Sequence, residues 1–168
     1  MTARDVRKNF NVTVDGRGYA GQCEEVNPPK VTQKTEEFRG GGMNAPVKLN
    51  MGMEAMDTDF TMIQFSRDIL ALHGAVAGAF IPFTLREALE SYDGTVTPVT
   101  HVMRGTITET DQGSVKAGDK TQLKISMNLN YYKLMHGDTV VHEIDIVNMV
   151  HIVNGVDMLQ AQRSALGM

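Results

Sequence analysis

The side chains in this sequence that could hold a metal ion or act as a nucleophile are five histidines and one cysteine. His142 and Glu143 are adjacent, but the second histidine that a zinc-protease helix needs four positions later is missing, and the residues around them alternate as in a strand. The other histidines stand singly. Cys23 is expected to be a poor nucleophile, because Glu24 and Glu25 beside it would raise its thiol pKa.

The glycines do not form a catalytic or phosphate-binding motif either. The sequence contains no G-x-S-x-G, and residues 40–42 are followed by Met-Asn-Ala-Pro rather than by a phosphate-binding helix. The acids are scattered among predicted strands and turns, so the fold alone would have to bring a carboxylate pair together. We therefore predict no catalytic residues, no cofactor-binding residues, no metal site and no enzymatic activity; a small-ligand barrel or an enzyme is the weaker alternative.

Composition favours one soluble domain that spans residues 1–168. The net charge is −4 and the basic residues are dispersed singly, so no positive stripe is available to follow a phosphate backbone. The charged opening MTARDVRKNF does not resemble a secretory signal, and no run approaches the roughly 20 apolar residues that cross a bilayer. We expect no specific nucleic-acid binding and no stable membrane association.

The elements that would position any site are mostly strands, and the clearest of them lies within residues 119–134. Successive side chains of a strand point to opposite faces, so alternation over ten residues predicts a long half-buried strand. The apolar parity, which we expect to face the core, comprises Leu123, Ile125, Met127, Leu129 and Tyr131; the polar parity comprises Gln122, Lys124, Ser126, Asn128 and Asn130.

Similar but weaker patterns predict the remaining strands. They cover residues 10–14, 19–26, 31–38, 47–53, 55–65, 80–89, 96–108 and 139–147, with helix as the competing interpretation for 54–60. Asp15-Gly16, Asp93-Gly94 and Asn154-Gly155 predict tight turns, because glycine takes a positive φ without strain.

Two helices complete the prediction. A hydroxyl at Ser66, an acid in the first turn and Gly74 at the end indicate a short internal helix. A C-terminal amphipathic helix is indicated by Val156, Leu159, Arg163 and Leu166. The fold class is therefore mainly β, an antiparallel β-sandwich or barrel of seven to nine strands with a short internal helix and a C-terminal helix.

One loop and one residue type suggest contacts outside the chain. The loop comprises Arg39, Gly40, Gly41, Gly42, Met43, Asn44, Ala45 and Pro46. Three adjacent glycines make its backbone costly to order, so it is either ordered by a partner or a loose connection. Methionines crowd the same region, at positions 43, 51, 53, 56 and 62, either as core filler or as an adaptable contact surface.

Residues 29–54, which read PKVTQKTEEFRGGGMNAPVKLNMGME, resemble the major tail tube protein family of contractile-tailed bacteriophages and of R-type phage-tail-like bacteriocins. That family combines a Pro-Lys strand, K-T-E-x-[FY]-R-x-G-G-M-x-A-P and an alternating strand ending in M-G. Four other blocks are similar and occur in the same order: the opening Asn-Phe-Asn with Val-Asp-Gly, then residues 131–134, 143–145 and 154–157.

The resemblance implies a tail-tube-like structural subunit whose hexameric rings stack into a hollow tube inside a sheath. It implies as partners further copies of the chain, sheath protein, baseplate and tail terminator proteins, and tape measure protein in the lumen during assembly. DNA would pass through without specific binding, and the particle would be a virion assembled in the bacterial cytoplasm. The loop from Arg39 to Pro46 becomes the candidate inter-subunit contact. A bacteriocin or contractile secretion machine without a genome is the alternative.

Overall fold

The computed structural model of the chain describes residues 3–74 and 78–168, so the predicted single domain over 1–168 extends to five residues outside the described ones and stays a prediction. The described residues form twelve strands and two short helices: β1 (Val6–Val14), β2 (Arg17–Gly18), β3 (Cys23–Asn27), β4 (Gln33–Phe38), β5 (Val47–Met53), β6 (Met56–Met62), α1 (Arg67–Leu70), β7 (Ile81–Glu90), β8 (Val96–Asp111), β9 (Leu123–His136), β10 (Thr139–Asp145), β11 (Val150–Val153), β12 (Val156–Asp157) and α2 (Gln160–Leu166). The prediction of seven to nine strands was too low, because strands of two to four residues give no readable alternation.

The mainly β, antiparallel architecture is confirmed. Ten strands form one sheet with the order β12-β11-β10-β9-β8-β7-β1-β2, and β6 joins it between β9 and β3. The remaining two strands, β4 and β5, pair only with each other among the described residues. The chain therefore consists of one large sheet and a separate hairpin inserted between β3 and β6.

The predicted central strand is β9, which pairs with β8 on one side over nearly its whole length. On its other side it pairs first with β6, up to Leu129, and then with β10, from Tyr131 onward. The register with β8 shifts at this point, and one extra residue of β9, Asn130, is left between the paired positions. A Cβ atom on Gly105, opposite the shift, would overlap the backbone of Asn128, so this bulge requires glycine.

The bulge changes which side chains of β9 face the core. Leu123, Ile125, Met127 and Leu129 are buried as predicted, but the next buried residue is Tyr132. The prediction that Tyr131 faces the core was wrong, because an extra residue in a strand moves every later side chain to the other face.

The large sheet folds over a single hydrophobic core. Phe60 of β6 stacks on Phe83 of β7 with ring centroids 4.7 Å apart, although these strands are not neighbours in the sheet. The two halves of the sheet therefore face each other, as a sandwich or barrel requires. Met56 and Met62 lie fully inside, whereas Met51 is more than half exposed, so the clustered methionines divide between core and surface.

The Asp15-Gly16 turn is confirmed, since both residues have positive φ (49° and 76°), as a type I′ turn requires. Its second strand is shorter than predicted, because only Arg17–Gly18 pairs with β1 and Cys23–Asn27 pairs with β6 instead. The alternative helix over residues 54–60 is also wrong. Those residues largely belong to β6, whose alternating pattern buries Met56, Thr58, Phe60 and Met62.

Both helices exist, at shorter lengths than the patterns indicate. Ser66 caps α1, whose Ile69 is fully buried. The C-terminal helix ends at Gly167, with φ 74°, as expected, but Val156 belongs to β12, so including it in the helix was wrong. No residue of α2 is buried. Its apolar side chains therefore remain on the surface of the subunit.

Candidate assembly surface

Among the described residues, β4 and β5 are the pair of strands that the rest of the fold covers least. Every residue of β4 is exposed, and so is every residue of β5 except Met53, which is half-buried. A two-stranded hairpin with no packed face is marginally stable in water. Such an exposed hairpin is stabilised when another protein surface packs against it.

The hairpin has one apolar and one polar face. Paired residues of antiparallel strands project to the same face, and the register alternates between the two. The apolar face contains the pairs Phe38–Val47 and Glu36–Leu49 with Met51 beyond them, and the polar face contains Glu37–Lys48 and Thr35–Asn50. Phe38 is 53% exposed and Leu49 45% exposed. The alternation in residues 47–53 predicts the strand but does not tell whether its apolar parity faces the core or a neighbour.

The loop from Arg39 to Pro46 joins the two strands at the tip of the hairpin. Its turn is closed by its own hydrogen bonds: the amide of Met43 donates to the carbonyl of Gly40 (3.3 Å), the amide of Gly40 to Met43 Sδ (3.1 Å), and Arg39 Nε to the carbonyl of Met43 (3.2 Å). A Cβ on Gly40 would lie 3.5 Å from both Met43 Sδ and Phe38 Cε1. Met43 and Phe38 thus flank the same glycine.

The structure brings together only part of the predicted contact set. Arg39, Gly40 and Met43 form the closed turn. The other five residues of the loop are exposed to solvent: Gly41, Gly42, Asn44, Ala45 and Pro46. Their assignment to an inter-subunit contact stays a prediction. The residues that sequence reasoning missed are the four apolar ones on the strands. The available signal was the hairpin itself, since two alternating runs on either side of a glycine-rich loop indicate paired strands.

A second group of exposed apolar side chains lies at the C-terminal end of the chain. It comprises Ile146, Val147, Val156, Met158, Leu166 and Met168, all more than half exposed. They belong to the β10–β11 turn, to β12 and to the region of α2. This group lies outside the core cluster, and of the hairpin strands only Met53 packs against that cluster.

Arg7, Glu87, His101 and Tyr132 form a polar network that is separate from these surfaces. Its acid–histidine–hydroxyl arrangement resembles the hydrogen-bonded groups of a catalytic site. His101 Nε2 lies 2.9 Å from Glu87 Oε1, His101 Nδ1 lies 3.0 Å from the hydroxyl of Tyr132, and Arg7 pairs with the other oxygen of Glu87. The expectation that the histidines are isolated was wrong for His101. Burial is the main cause that lowers the pKa of His101, with Glu87 opposing it.

This network has a structural role, because its hydrogen bonds and ion pair link side chains of different strands. With a neutral imidazole, Nε2–H donates to Glu87 and Nδ1 accepts from the hydroxyl of Tyr132, so both ring nitrogens are satisfied. Glu87, His101 and Tyr132 are all at least nine-tenths buried. They line neither the cavity beside Glu24 and Lys124 nor the one beside Tyr19 and Asp68. The network joins β1, β7, β8 and β9 within the core.

The other chemical candidates do not form a reactive site either. Within residues 3–74 and 78–168, no three His, Cys, Asp or Glu side chains converge as metal ligands. The pKa of Cys23 is raised to about 11, chiefly by burial, with Glu25 a minor cause, so the neighbouring acids were the smaller part of the reason. The larger cavity, of about 580 Å³, is open and lined mainly by polar residues. No helix among the described residues is long and apolar enough to span a bilayer.

Comparison with known proteins points in one direction. Residues 5–167 match the family model of phage tail tube protein FII. The tail tube protein of Escherichia phage P2 is 34% identical over 165 residues, covering 96% of each chain. The major tail tube protein of Serratia phage KSP20 is 34% identical over 168 residues, covering 95% of this chain and 94% of the relative. A chain of the sheath-tube complex of an extracellular contractile injection system (PVC, extended state) has the same fold, with a TM-score of 0.58 at 16% identity over 76% of this chain and 88% of that one.

Proposed function

This chain belongs to the phage tail tube protein FII family, a family of structural proteins and not of enzymes, and we propose that its copies form hexameric rings that stack into the inner tube of a contractile tail. The family membership identifies the chain as a tail tube protein of a contractile-tail system. The ring size, the stacking and the contacts that produce them are the proposal.

The observation that carries the proposal is the uncovered apolar face of the β4–β5 hairpin. Phe38, Val47, Leu49 and Met51 are each between about two-fifths and just over half exposed, on an element that makes no strand pairs with the rest of the described chain. Burial of apolar area stabilises a contact by about 25 cal/mol per Å². A neighbouring copy that covers this face removes the apolar area from water and supports a hairpin that is marginal alone.

The loop at the tip of the hairpin extends the same contact. Gly41, Gly42, Asn44, Ala45 and Pro46 are exposed beside the apolar face. In the proposed tube this tip contacts a subunit in the same or the next ring. The Arg39 guanidinium is exposed and donates through Nε within the loop, which leaves its remaining N–H groups for an acid across the interface.

The proposed partners follow from a tube in a contractile particle. Besides further copies of the chain, they are sheath protein outside the tube, baseplate and tail terminator proteins at its ends, and tape measure protein in the lumen during assembly. The subunits would assemble in the bacterial cytoplasm and remain in the virion, without stable association with a membrane until the tube punctures one.

DNA would pass through such a tube without specific binding. Each chain has net charge −4, so a ring of six has 6 × −4, or −24. Affinity for nucleic acid comes largely from Lys and Arg that displace counterions from phosphates. An acidic ring without a positive stripe offers few such contacts and lets the genome slide.

A tube that carries no genome is the second candidate. The fold likeness to a sheath-tube complex of an extracellular contractile injection system supports it, since that protein is part of such a machine. The subunit architecture serves both roles equally, because the proposed hairpin contact does not depend on what fills the lumen.

The proposal is tested by a matched pair of charge substitutions on neighbouring residues of β5. Leu49→Asp places a carboxylate on the apolar face of the hairpin, and Asn50→Asp places the same group on the polar face. Both positions are exposed in the subunit, so both variants are expected to fold with unchanged circular dichroism. We expect the parent and Asn50→Asp to form tubes under negative-stain electron microscopy and Leu49→Asp to remain unassembled. Normal tubes from Leu49→Asp would contradict the hairpin contact.

A further inference from the structure

Two histidines lie on the same face of neighbouring strands near the C-terminal end of the sheet. In the pairing of β10 with β11, His142 is opposite Val153 and Ile144 is opposite His151. Since paired and alternate residues share a face, both imidazoles project to the side on which Ile144 is buried in the core. Such diagonal neighbours lie about 7–8 Å apart, within reach of each other's charge.

Both imidazoles are half-buried. His142 Nδ1 is buried and has no hydrogen-bond partner among residues 3–74 and 78–168, and the rest of its side chain is half-buried. Burial lowers the pKa of His151 first, and the charge of a protonated His142 lowers it further, while Asp157 opposes both. The folded arrangement therefore favours the neutral form of His151.

The charged groups around the pair come from every neighbouring element. On β9 the titratable residues of the same face are Tyr132 and His136, two residues on either side of Leu134, which is opposite His142. Beyond Tyr132 lie His101, Glu87 and Arg7 of the buried network. Glu143 and Asp145 of β10 alternate with His142 and Ile144 and so project to the opposite face, where Glu143 accepts from Tyr131. On the C-terminal side, Asp157 of β12 is paired with Arg163 of α2.

The segment that follows β10 is held by few contacts. Four residue pairs join β11 to β10, and two join β12 to β11. No residue of α2 is buried; Arg163 anchors it through Asp157 and through the carbonyl of Met149, at 2.8 Å. A small repulsive free energy between β10 and β11 therefore acts on a weakly attached end of the sheet.

We propose that His142 and His151 form a proton-sensitive latch, which holds residues 150–168 on β10 when both imidazoles are neutral and releases that segment when both are protonated. Two imidazolium groups on one half-buried face repel each other across the β10–β11 pairing.

The way in which the stability of the closed arrangement changes with pH follows from the pKa difference between the closed and released states. The folded pKa of His151 lies below the ordinary value of 6.5, so the unfolded or released segment binds the proton more readily. The stability of the closed arrangement is complete above that ordinary value and is lost as the pH falls below it. Release exposes the edge of β10, which changes the surface that an adjacent molecule meets in mildly acidic medium.

Hydrogen exchange of the unassembled full-length chain tests the latch at about pH 7.5 and about pH 5.0, on either side of the histidine range. After correction for the intrinsic rate, we expect the opening equilibrium of β11 and α2 amides to rise about tenfold at the lower pH, the order of magnitude for two like charges about 7–8 Å apart near a protein surface. Amides in β8 and β9 are expected to keep their protection. No change at β11, or an equal loss in β8 and β9, would overturn the proposal.

Substitutions separate the latch from a general effect of acid. The double variant His142→Gln, His151→Gln is expected to lose the pH dependence of β11 exchange. The control His73→Gln, at an exposed position after α1 and beside Thr110, is expected to retain it. An unchanged pH dependence in the double variant refutes the latch. If that variant does not fold, NMR titration of the parent decides: a His151 pKa at or above 6.5 would overturn the proposal, and a lower one coupled to His142 supports it.

Discussion

Tyr131 and Tyr132 provide a direct test of the bulge in β9, because two adjacent residues of the same type point to opposite faces. Tyr132 is 3% exposed and bonds to the buried His101, so Tyr132→Ala leaves a core cavity and an unpaired imidazole nitrogen. Truncation of a buried aromatic residue costs about 3–5 kcal/mol, and the unpaired polar atom about 1–3 kcal/mol more. We expect a loss of at least about 4 kcal/mol.

Tyr131→Ala removes smaller interactions from the outer face. The guanidinium of Arg104 lies 4.2 Å from the Tyr131 ring centroid, and the Tyr131 hydroxyl donates to Glu143 at 2.9 Å. At a partly exposed site these contribute about 0.5–1 kcal/mol and about 0.5–1.5 kcal/mol, so we expect a loss of about 1–2.5 kcal/mol. Urea unfolding of the unassembled subunit, followed by circular dichroism, measures both variants. An equal or larger loss for Tyr131→Ala would refute the change of face at Asn130.

The remaining predictions concern the bulge, the core, the loop and the lumen. Gly105→Ala is expected to cost about 1–3 kcal/mol in urea unfolding through overlap with Asn128, whereas the control Gly41→Ala, with open space around it, should change stability by less than about 0.5 kcal/mol. Leu129→Asp, which buries an unpaired charge, should give insoluble or unfolded protein, and soluble cooperative folding would show that the faces of β9 are reversed. Replacing residues 40–44 by a Gly-Ser linker should leave thermal unfolding within about 1 kcal/mol of the parent and abolish tubes, so normal tubes or a collapsed fold would refute the loop's role. DNA should show no mobility shift with the free subunit at physiological salt, and a micromolar shift would contradict the electrostatic argument.

Local alternation of apolar and polar residues predicted most strands of this fold. It failed where one extra residue in a strand reverses the face to which the later side chains point. The alternation from Leu123 to Leu129 predicted the buried face of β9 correctly, because each step alternates faces. The bulge at Asn130 leaves no local signature, since it depends on β9 exchanging β6 for β10 as its partner. Such a change of partner is a property of the whole sheet.

Of the candidate assembly surface on the β4–β5 hairpin, only the loop from Arg39 to Pro46 was predicted from the sequence. The glycines and Met43 attracted attention to the loop, but the period of two in residues 47–53 does not indicate whether the apolar parity faces the subunit's own core or a neighbour. Glu87 and His101 illustrate a related limit, since they stand 14 residues apart on adjacent strands and meet diagonally across the β7–β8 pairing. Sequence spacing carries no information about such contacts until the register is known.

Electron cryomicroscopy of the polymer formed by the purified parent chain tests the central claim most directly. The account predicts a tube of stacked six-fold rings in which the apolar face of each β4–β5 hairpin, including Phe38 and Leu49, is buried against another subunit. A chain that stays monomeric at all protein and salt concentrations, or a tube in which these hairpins project into solvent, would contradict it.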